Sequence, residues 1–232
     1  NTDSFRRLVD YLKKHDVDIV LTDARRITPD GRYAGHESVS GIDKNRIMKL
    51  DDCVDRIKNI EMHNCCIRTE LLRTNNVSCH EHLFYVDNEY VVYSLTYADT
   101  IVYLDLTVYQ YLVGRNGQSV SIESRRRNHE QYMTVVNYLV GFYEDVSWNL
   151  SEPKKRFIAR KIAYFITGVY SVMMSYRDAP HRKALEQFDG WLREKSIDIY
   201  NGNNNICVTM LRRTNMGMYG MASIIYKLVN RL

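Results

Sequence analysis

The segment His80-Glu81-His82-Leu83-Phe84-Tyr85-Val86-Asp87-Asn88-Glu89-Tyr90 crowds carboxylates, imidazoles and phenols together, the side chains that move protons near neutral pH. Asp87 stands where a helix is expected to open. A carboxylate there is stabilised as an anion by the helix dipole, which suits a general base that must stay deprotonated until it accepts a proton. An aspartate in that place also serves as a plain N-cap, with no chemistry attached. A second set, His63, Cys65, Cys66, Cys79, His80 and His82, has the residue types of a zinc site. Its spacing argues otherwise: no Cys-x-x-Cys or His-x-x-x-His pair occurs, and adjacent Cys65 and Cys66 point to different sides of any strand or helix. Buried thiols are the default for such cysteines. Tyr90, Tyr93, Tyr97, Tyr103, Tyr109 and Tyr111 fall near the acidic segment, and their rings can stack on sugar faces or simply pack in a core.

These residues need elements to hold them. Phe5, Leu8, Val9 and Leu12 recur at helical spacing, which predicts an amphipathic helix over residues 3–15 laid on a sheet. The β-branched run Val17-Asp18-Ile19-Val20-Leu21-Thr22-Asp23 predicts a buried strand, with Thr28-Pro29-Asp30-Gly31 as its turn. Asp51 to Ile60, Ile67 to Arg73 and Asp87 to Thr96 read as further helices, and Thr100 to Val108 as the second clear strand. Past Ser121 helical spacing dominates, over Ile122 to Trp148, Lys154 to Tyr176, Lys183 to Lys195 and Met218 to Leu232. Pro153 and Pro180 fall near helix boundaries, and Tyr200-Asn201-Gly202-Asn203-Asn204-Asn205 reads as a loop because Asn and Gly tolerate positive φ. Two regions result: a mixed α/β part over residues 1–121 and an α-helical part over 122–232.

Composition narrows the function classes. With 232 residues and 45% hydrophobic content the chain can bury a real core. A net charge of +4 is too mild for a dedicated nucleic-acid binder. The most apolar stretch, Phe157 to Met174, is broken by Arg160 and Lys161, short of the roughly 20 apolar residues of a membrane span. Five irregularly spaced cysteines and no signal-like opening fit a reducing, cytoplasmic setting. Asn1 leads almost directly into a helix, as in a fragment of something longer.

Phe84-Tyr85-Val86-Asp87-Asn88-Glu89 at a helix start, then a strand ending in Tyr109-Gln110-Tyr111, then Arg115-Asn116-Gly117-Gln118-Ser119-Val120-Ser121, resembles the second half of bacterial family 2 glycosyltransferases. The likeness extends over nearly the whole chain and is strongest from Phe84 to Ser121. It implies an α/β fold: a partial GT-A-like, incompletely Rossmann-like region followed by a mostly α-helical extension. It implies Asp87 as the base that deprotonates an acceptor hydroxyl, Glu89 as a substrate contact, and an arginine-to-serine loop that closes over the donor diphosphate. In that loop Arg115 is the phosphate candidate, with Gln118, Ser119 and Ser121 as hydrogen-bond donors around Gly117; a polar surface turn would carry the same letters. Arg125-Arg126-Arg127 could touch an anion or form a solvated face, and His129 is a candidate metal or phosphate contact. Two departures stand out. Val86 replaces a common glutamate, and the family's metal-binding Asp-x-Asp is missing, since Asp16-Val17-Asp18 precedes its strand instead of following one.

The resemblance thus implies part of an inverting hexosyltransferase of bacterial cell-wall or polysaccharide synthesis, inactive alone. The intact parent would use a nucleotide-sugar donor, UDP-sugar foremost, a glycan or lipid-linked acceptor and a divalent Mn or Mg ion, with none held by this fragment. It would work in the cytoplasm, at the inner face of the membrane by peripheral association, with a homo-oligomer left open. The alternative is a helical interaction module that recruits an enzyme to partners or to a membrane-bound acceptor.

Overall fold

Strand β1 (Ile19–Ile27) organises the sheet, because its first six residues are all buried and so must be covered on both faces. A computed structural model describes residues 2–115, 118–119 and 121–229. Along one edge β1 pairs antiparallel with β4 (Cys65–Ile67) over its first half and with β2 (Tyr33–Glu37) over its second. Along the other it pairs in parallel with the long β5 (Thr100–Leu112), which also takes the two-residue β3 (Met48–Lys49) antiparallel. The order is β2-β1-β5-β3, and register shifts around Asp23 let the mixed sheet curl.

The chain divides into two compact units. The first comprises Asn1–Glu81, Val86–Gln118 and Leu150–Phe157. It holds the sheet, α1 (Thr2–Leu12), α2 (Leu50–Cys53), α3 (Thr69–Thr74) and α4 (Asp87–Tyr97). Leu8 of α1 packs with Val17, Val20, Val102, Leu104 and Leu106 over one face of β1 and β5, while Phe5 and Leu12, expected on that face, are exposed. Helix α4 is buried almost all round, from Val91 to Thr96, as befits a core helix without a polar stripe. Asp18 ties the start of β1 to the start of β5. Its carboxylate accepts from the Asp99 and Thr100 amides and the Thr100 hydroxyl, each at 2.9 Å.

The second unit, His82–Tyr85, Ser119–Asn149 and Ile158–Leu232, is helical in its described residues. Its helices are α5 (Ile122–Arg127), α6 (His129–Val146), most of α7 (Glu152–Tyr176), α8 (Ala179–Lys195), α9 (Ile197–Gly202), α10 (Ile206–Arg213) and α11 (Tyr219–Val229). Among the described residues α7 alone is long and apolar enough to cross a membrane, by length and composition only, and 78% of its apolar window is buried within the protein. Gly168 of α7 lies against the Tyr132 hydroxyl, where a Cβ would come within 2.2 Å. Arg212 closes the far side: its guanidinium donates to Asp189 at 2.8 Å and to the Tyr200 carbonyl at 2.6 Å, and stacks on the Tyr200 ring.

Several expected elements differ. The helix expected over 51–60 stops at Cys53, and after a tight turn at Val54–Arg56 the chain runs extended. Gly41 forces this, with its α-carbon so close to the Arg56 carbonyl that any Cβ would overlap it. Residues 200–202, expected as loop, end the short helix α9, whose Ile199 is fully buried; only Asn203 to Asn205 are irregular.

Two outcomes are expected. Gly168→Ala should lower stability by about 1–3 kcal/mol through overpacking against Tyr132, outweighing the roughly 1 kcal/mol a helix gains on losing glycine; chemical denaturation reads the sign. Burial raises the Asp18 carboxyl, but the Asp99 and Thr100 hydrogen bonds and the Arg68 charge outweigh it and hold it below 3.8. A depressed folded value means stability that is present above 3.8 and lost as pH falls through that folded value. Acid unfolding of Asp18→Asn should therefore be less steep than that of the native chain.

Candidate functional site

Asp87 is the first residue of α4, preceded by Val86, which sits at the N-cap without any side-chain cap bond. Asp87 is therefore not an N-cap: its Oδ1 receives the Asn88 amide at 3.3 Å, and the helix dipole favours its anion. Just ahead, Tyr85 holds φ at +72°, a conformation costly for a bulky side chain. It is held there by its hydroxyl, which donates to the Ser119 carbonyl at 3.0 Å, and by edge-on packing against Tyr132.

The charge of Asp87 reaches two groups of the first unit. With Glu89 it helps burial push the Cys79 thiol up. Burial first, then the carboxylates of Glu37 and Asp87, raise the Tyr111 phenol against the opposing pull of Arg26, with Glu61 adding to the rise. Asp87 of α4 is thus within electrostatic reach of Tyr111, at the Tyr-x-Tyr end of β5.

Parallel register builds a wall around Tyr111. Ala24 pairs with Tyr109 and Arg26 with Tyr111 across β1 and β5, while Ala24 pairs with Glu37 across β1 and β2. Partners in a ladder share a face, so Glu37, Arg26, Tyr109 and Tyr111 line one side of the curled sheet. His63 joins them from the turn before β4, a turn pinned by the Asn64 amide donating to the Thr22 carbonyl at 3.0 Å. Its imidazole stacks on Tyr111 at 4.7 Å and 8° and lies 5.8 Å from the Tyr109 ring. Glu37 bonds both the His63 ring and the Arg26 guanidinium. Burial raises the Glu37 carboxyl, yet these two partners bring it below its ordinary value. Glu37 and Arg26 were not among the site candidates of the sequence, and His63 stood there only in the zinc set; the alternation of Tyr109 and Tyr111 was the local sign of a shared face.

The other expected site residues separate. Glu89 is fully buried, and its carboxylate receives the His80 amide at 3.0 Å and faces the His80 ring at 3.0 Å. It cannot touch a substrate from there; it positions the segment before α4. Arg115 is exposed. Gln118 is turned inward, its amide donating to the Leu112 carbonyl at 2.8 Å and accepting from the Gly114 amide at 3.0 Å, so it closes the turn after β5. Ser119 offers its carbonyl to Tyr85. Ser121 caps α5, accepting the Ser124 amide at 3.2 Å, a structural duty in place of the expected ligand contact. Asn116, Gly117 and Val120 lie outside the described residues.

The basic run is not one solvated face. Arg126 reaches the Ser175 hydroxyl at 2.7 Å and stacks on Tyr176, while Arg127 is exposed. His129 opens α6 with its Nδ1 buried and unbonded; burial, then His181, push its imidazole pKa down. Among the described residues no group of three or more metal-ligating side chains forms. All five cysteines are free thiols, His63 is engaged with Glu37, and His80 with Glu89. A groove of about 490 Å³, lined by Arg7, Arg25, Tyr33, His36 and the edge of β5 from Asp105 to Gln110, shares Tyr109 with the wall and does not include Asp87.

No model of a known protein family matches the chain, and no characterised protein matches it either.

Truncating the buried Glu89 to alanine should remove the acceptor that holds the His80 amide and ring and cost about 1–3 kcal/mol of stability, measured by denaturant unfolding; an unchanged midpoint would remove the positioning role.

Proposed function

We propose that the chain is the acceptor-side part of an inverting, nucleotide-sugar-dependent glycosyltransferase of family 2 with a GT-A-like fold, extended by a helical region. The observation that carries this is the Asp87 carboxylate at the first position of α4, half-buried and within electrostatic reach of Tyr111 at the Tyr-x-Tyr end of β5. Four further features support it: a helix start that favours the anion, a strained Tyr85 directly before it, an exposed Arg115 after β5, and a group of rings and polar side chains around Tyr111.

In this mechanism Asp87 takes the proton from an acceptor hydroxyl as that oxygen attacks the anomeric carbon from the face opposite the leaving nucleoside diphosphate, so configuration inverts. Arg115 offers charge to the departing diphosphate. A divalent Mn or Mg ion, supplied with the nucleotide-binding half of the intact parent, would offset charge on the leaving oxygen. The donor would be a UDP-sugar and the acceptor a growing bacterial cell-surface glycan or lipid-linked sugar. The parent would work in the cytoplasm beside the inner face of the membrane.

In the full-length parent, Asp87→Asn should lower turnover by about 10²- to 10⁴-fold with donor affinity unchanged. Steady-state turnover and nucleotide-sugar titration check this together, and undiminished turnover removes Asp87 from the base role.

A further inference from the structure

The groove that runs past Tyr109 has an imidazole fixed in it from below. Asp23, buried in β1, accepts from the Tyr103 hydroxyl at one carboxylate oxygen, and its other oxygen lies 3.1 Å from Nε2 of His36. A carboxylate can only accept, so Nε2 carries the hydrogen, and Nδ1 is the nitrogen left to a ligand. The ladder sets what stands next to it. Arg25 of β1 shares a rung with His36 of β2 on one side and with Gln110 of β5 on the other, and all three line the groove.

Two cations in this groove have no anion of their own. Arg7, one helical turn after Ser4 on α1, and Arg25 both line the cavity and are exposed. Among the described residues no carboxylate lies within ion-pair distance of either. The one lining carboxylate among those residues, Asp105, is taken by Lys44 at 2.6 Å, and Lys44 also stands 3.7 Å from Asp23. The charge of Arg7 reaches Asp105 only as a minor pull beside that of Lys44. The Arg25 guanidinium lies 5.1 Å over the Tyr33 ring, a stacking that steadies its plane and leaves its N–H edge to an acceptor. Tyr33 and Tyr109 are 58% and 46% exposed, so two rings flank the cavity with area to cover.

We infer that this groove binds a phosphate monoester of a small organic molecule. Arg7 and Arg25 hold the phosphate oxygens, His36 donates to them through Nδ1, and the organic part lies against Tyr33 and Tyr109. A dianion suits the set better than a carboxylate does: it brings three acceptor oxygens and a second charge to two guanidiniums and an imidazole. Between that dianion and Asp23 the His36 imidazolium, with both nitrogens donating, is the favoured form. The cavity, about 490 Å³, has the size of a small-ligand pocket. The inference stands apart from the glycosyltransferase reading, which puts its departing diphosphate at Arg115.

Titration calorimetry of this chain with phenyl phosphate, inorganic phosphate and benzoate at matched ionic strength tests it. Phenyl phosphate should bind about tenfold or more tightly than benzoate, and inorganic phosphate more weakly than the ester because it lacks the ring. Arg7→Gln and Arg25→Gln should each weaken phenyl phosphate by about tenfold or more with circular dichroism unchanged. Arg127→Gln, which removes an exposed arginine from the helical unit, should leave it unaltered. Both groove arginines are exposed, so failure of one variant to fold leaves the other decisive. Nitrogen NMR of the imidazoles should show phenyl phosphate shifting Nδ1 of His36 more than Nε2. No binding of phenyl phosphate, benzoate or inorganic phosphate binding as tightly, affinity that survives both groove variants, an equal loss in Arg127→Gln, or an unmoved His36 would overturn the inference. The assay contains no nucleotide sugar and needs no turnover, so none of these outcomes bears on Asp87 as a base.

Discussion

A parallel strand pair cannot be closed by a hairpin, and the pairing of β1 with β5 therefore obliges the chain between Ile27 and Thr100 to make a long crossover before the ladder can form, adding β2, β3 and β4 to the sheet on its way. Asp18 secures that return. One carboxylate, held by two backbone amides and a hydroxyl at the start of β5, fixes where the second strand begins relative to the first. At the start this sets a register with Tyr103 opposite Leu21; it shifts around Asp23, beyond which the register puts Tyr109 opposite Ala24 and Tyr111 opposite Arg26. Shifting it by one residue would send the tyrosines to the other face and dissolve the group around Glu37.

The same crossover delivers the site's remaining parts. The chain on its way back forms the turn that carries His63 over Tyr111 and then the helix that opens on Asp87. Glu89, two residues on, is buried against His80 and anchors the start of that helix. The two carboxylates are thus distinguished by their places on α4: Asp87 half-buried at its first position, Glu89 locked into the core. The cost of a bulky residue at positive φ, Tyr85, is met by a hydroxyl–carbonyl bond and by ring packing in its own unit.

Much of this was visible in the residues themselves, and what was not has identifiable physical causes. β1 and β5 stand out because a buried parallel strand reads as an unbroken apolar run, and α4, α6, α7 and α8 because long helices repeat their pattern many times. β2, β3 and β4 carry no such signal. They are short and β2 is largely exposed; β3 and β4 exist because a strand distant in the chain offers an edge, and β2 because the turn after Ile27 folds it back on β1. The extended run after Arg56 depends on the close approach of Gly41, a contact across the fold that helical spacing at 51–60 cannot register. Asp87 was legible from its place before an apolar helix. Glu37 and His63 were not, since one lies on an unforeseen strand and the other reaches Tyr111 only once β4 has paired with β1. Ser121 and Gln118 show the converse, polar letters that suit a ligand loop yet are engaged in a cap and a turn closure.

The assignment of Asp87 as a base acting in a single displacement makes a stereochemical demand that no structural role for the carboxylate would make. The decisive measurement is the anomeric configuration of the first product formed by the full-length parent from an α-linked UDP-sugar, followed by proton NMR before any mutarotation. A β-linked product is expected. An α-linked product would mean retention, and with it the loss of the direct attack in which Asp87 removes the acceptor proton.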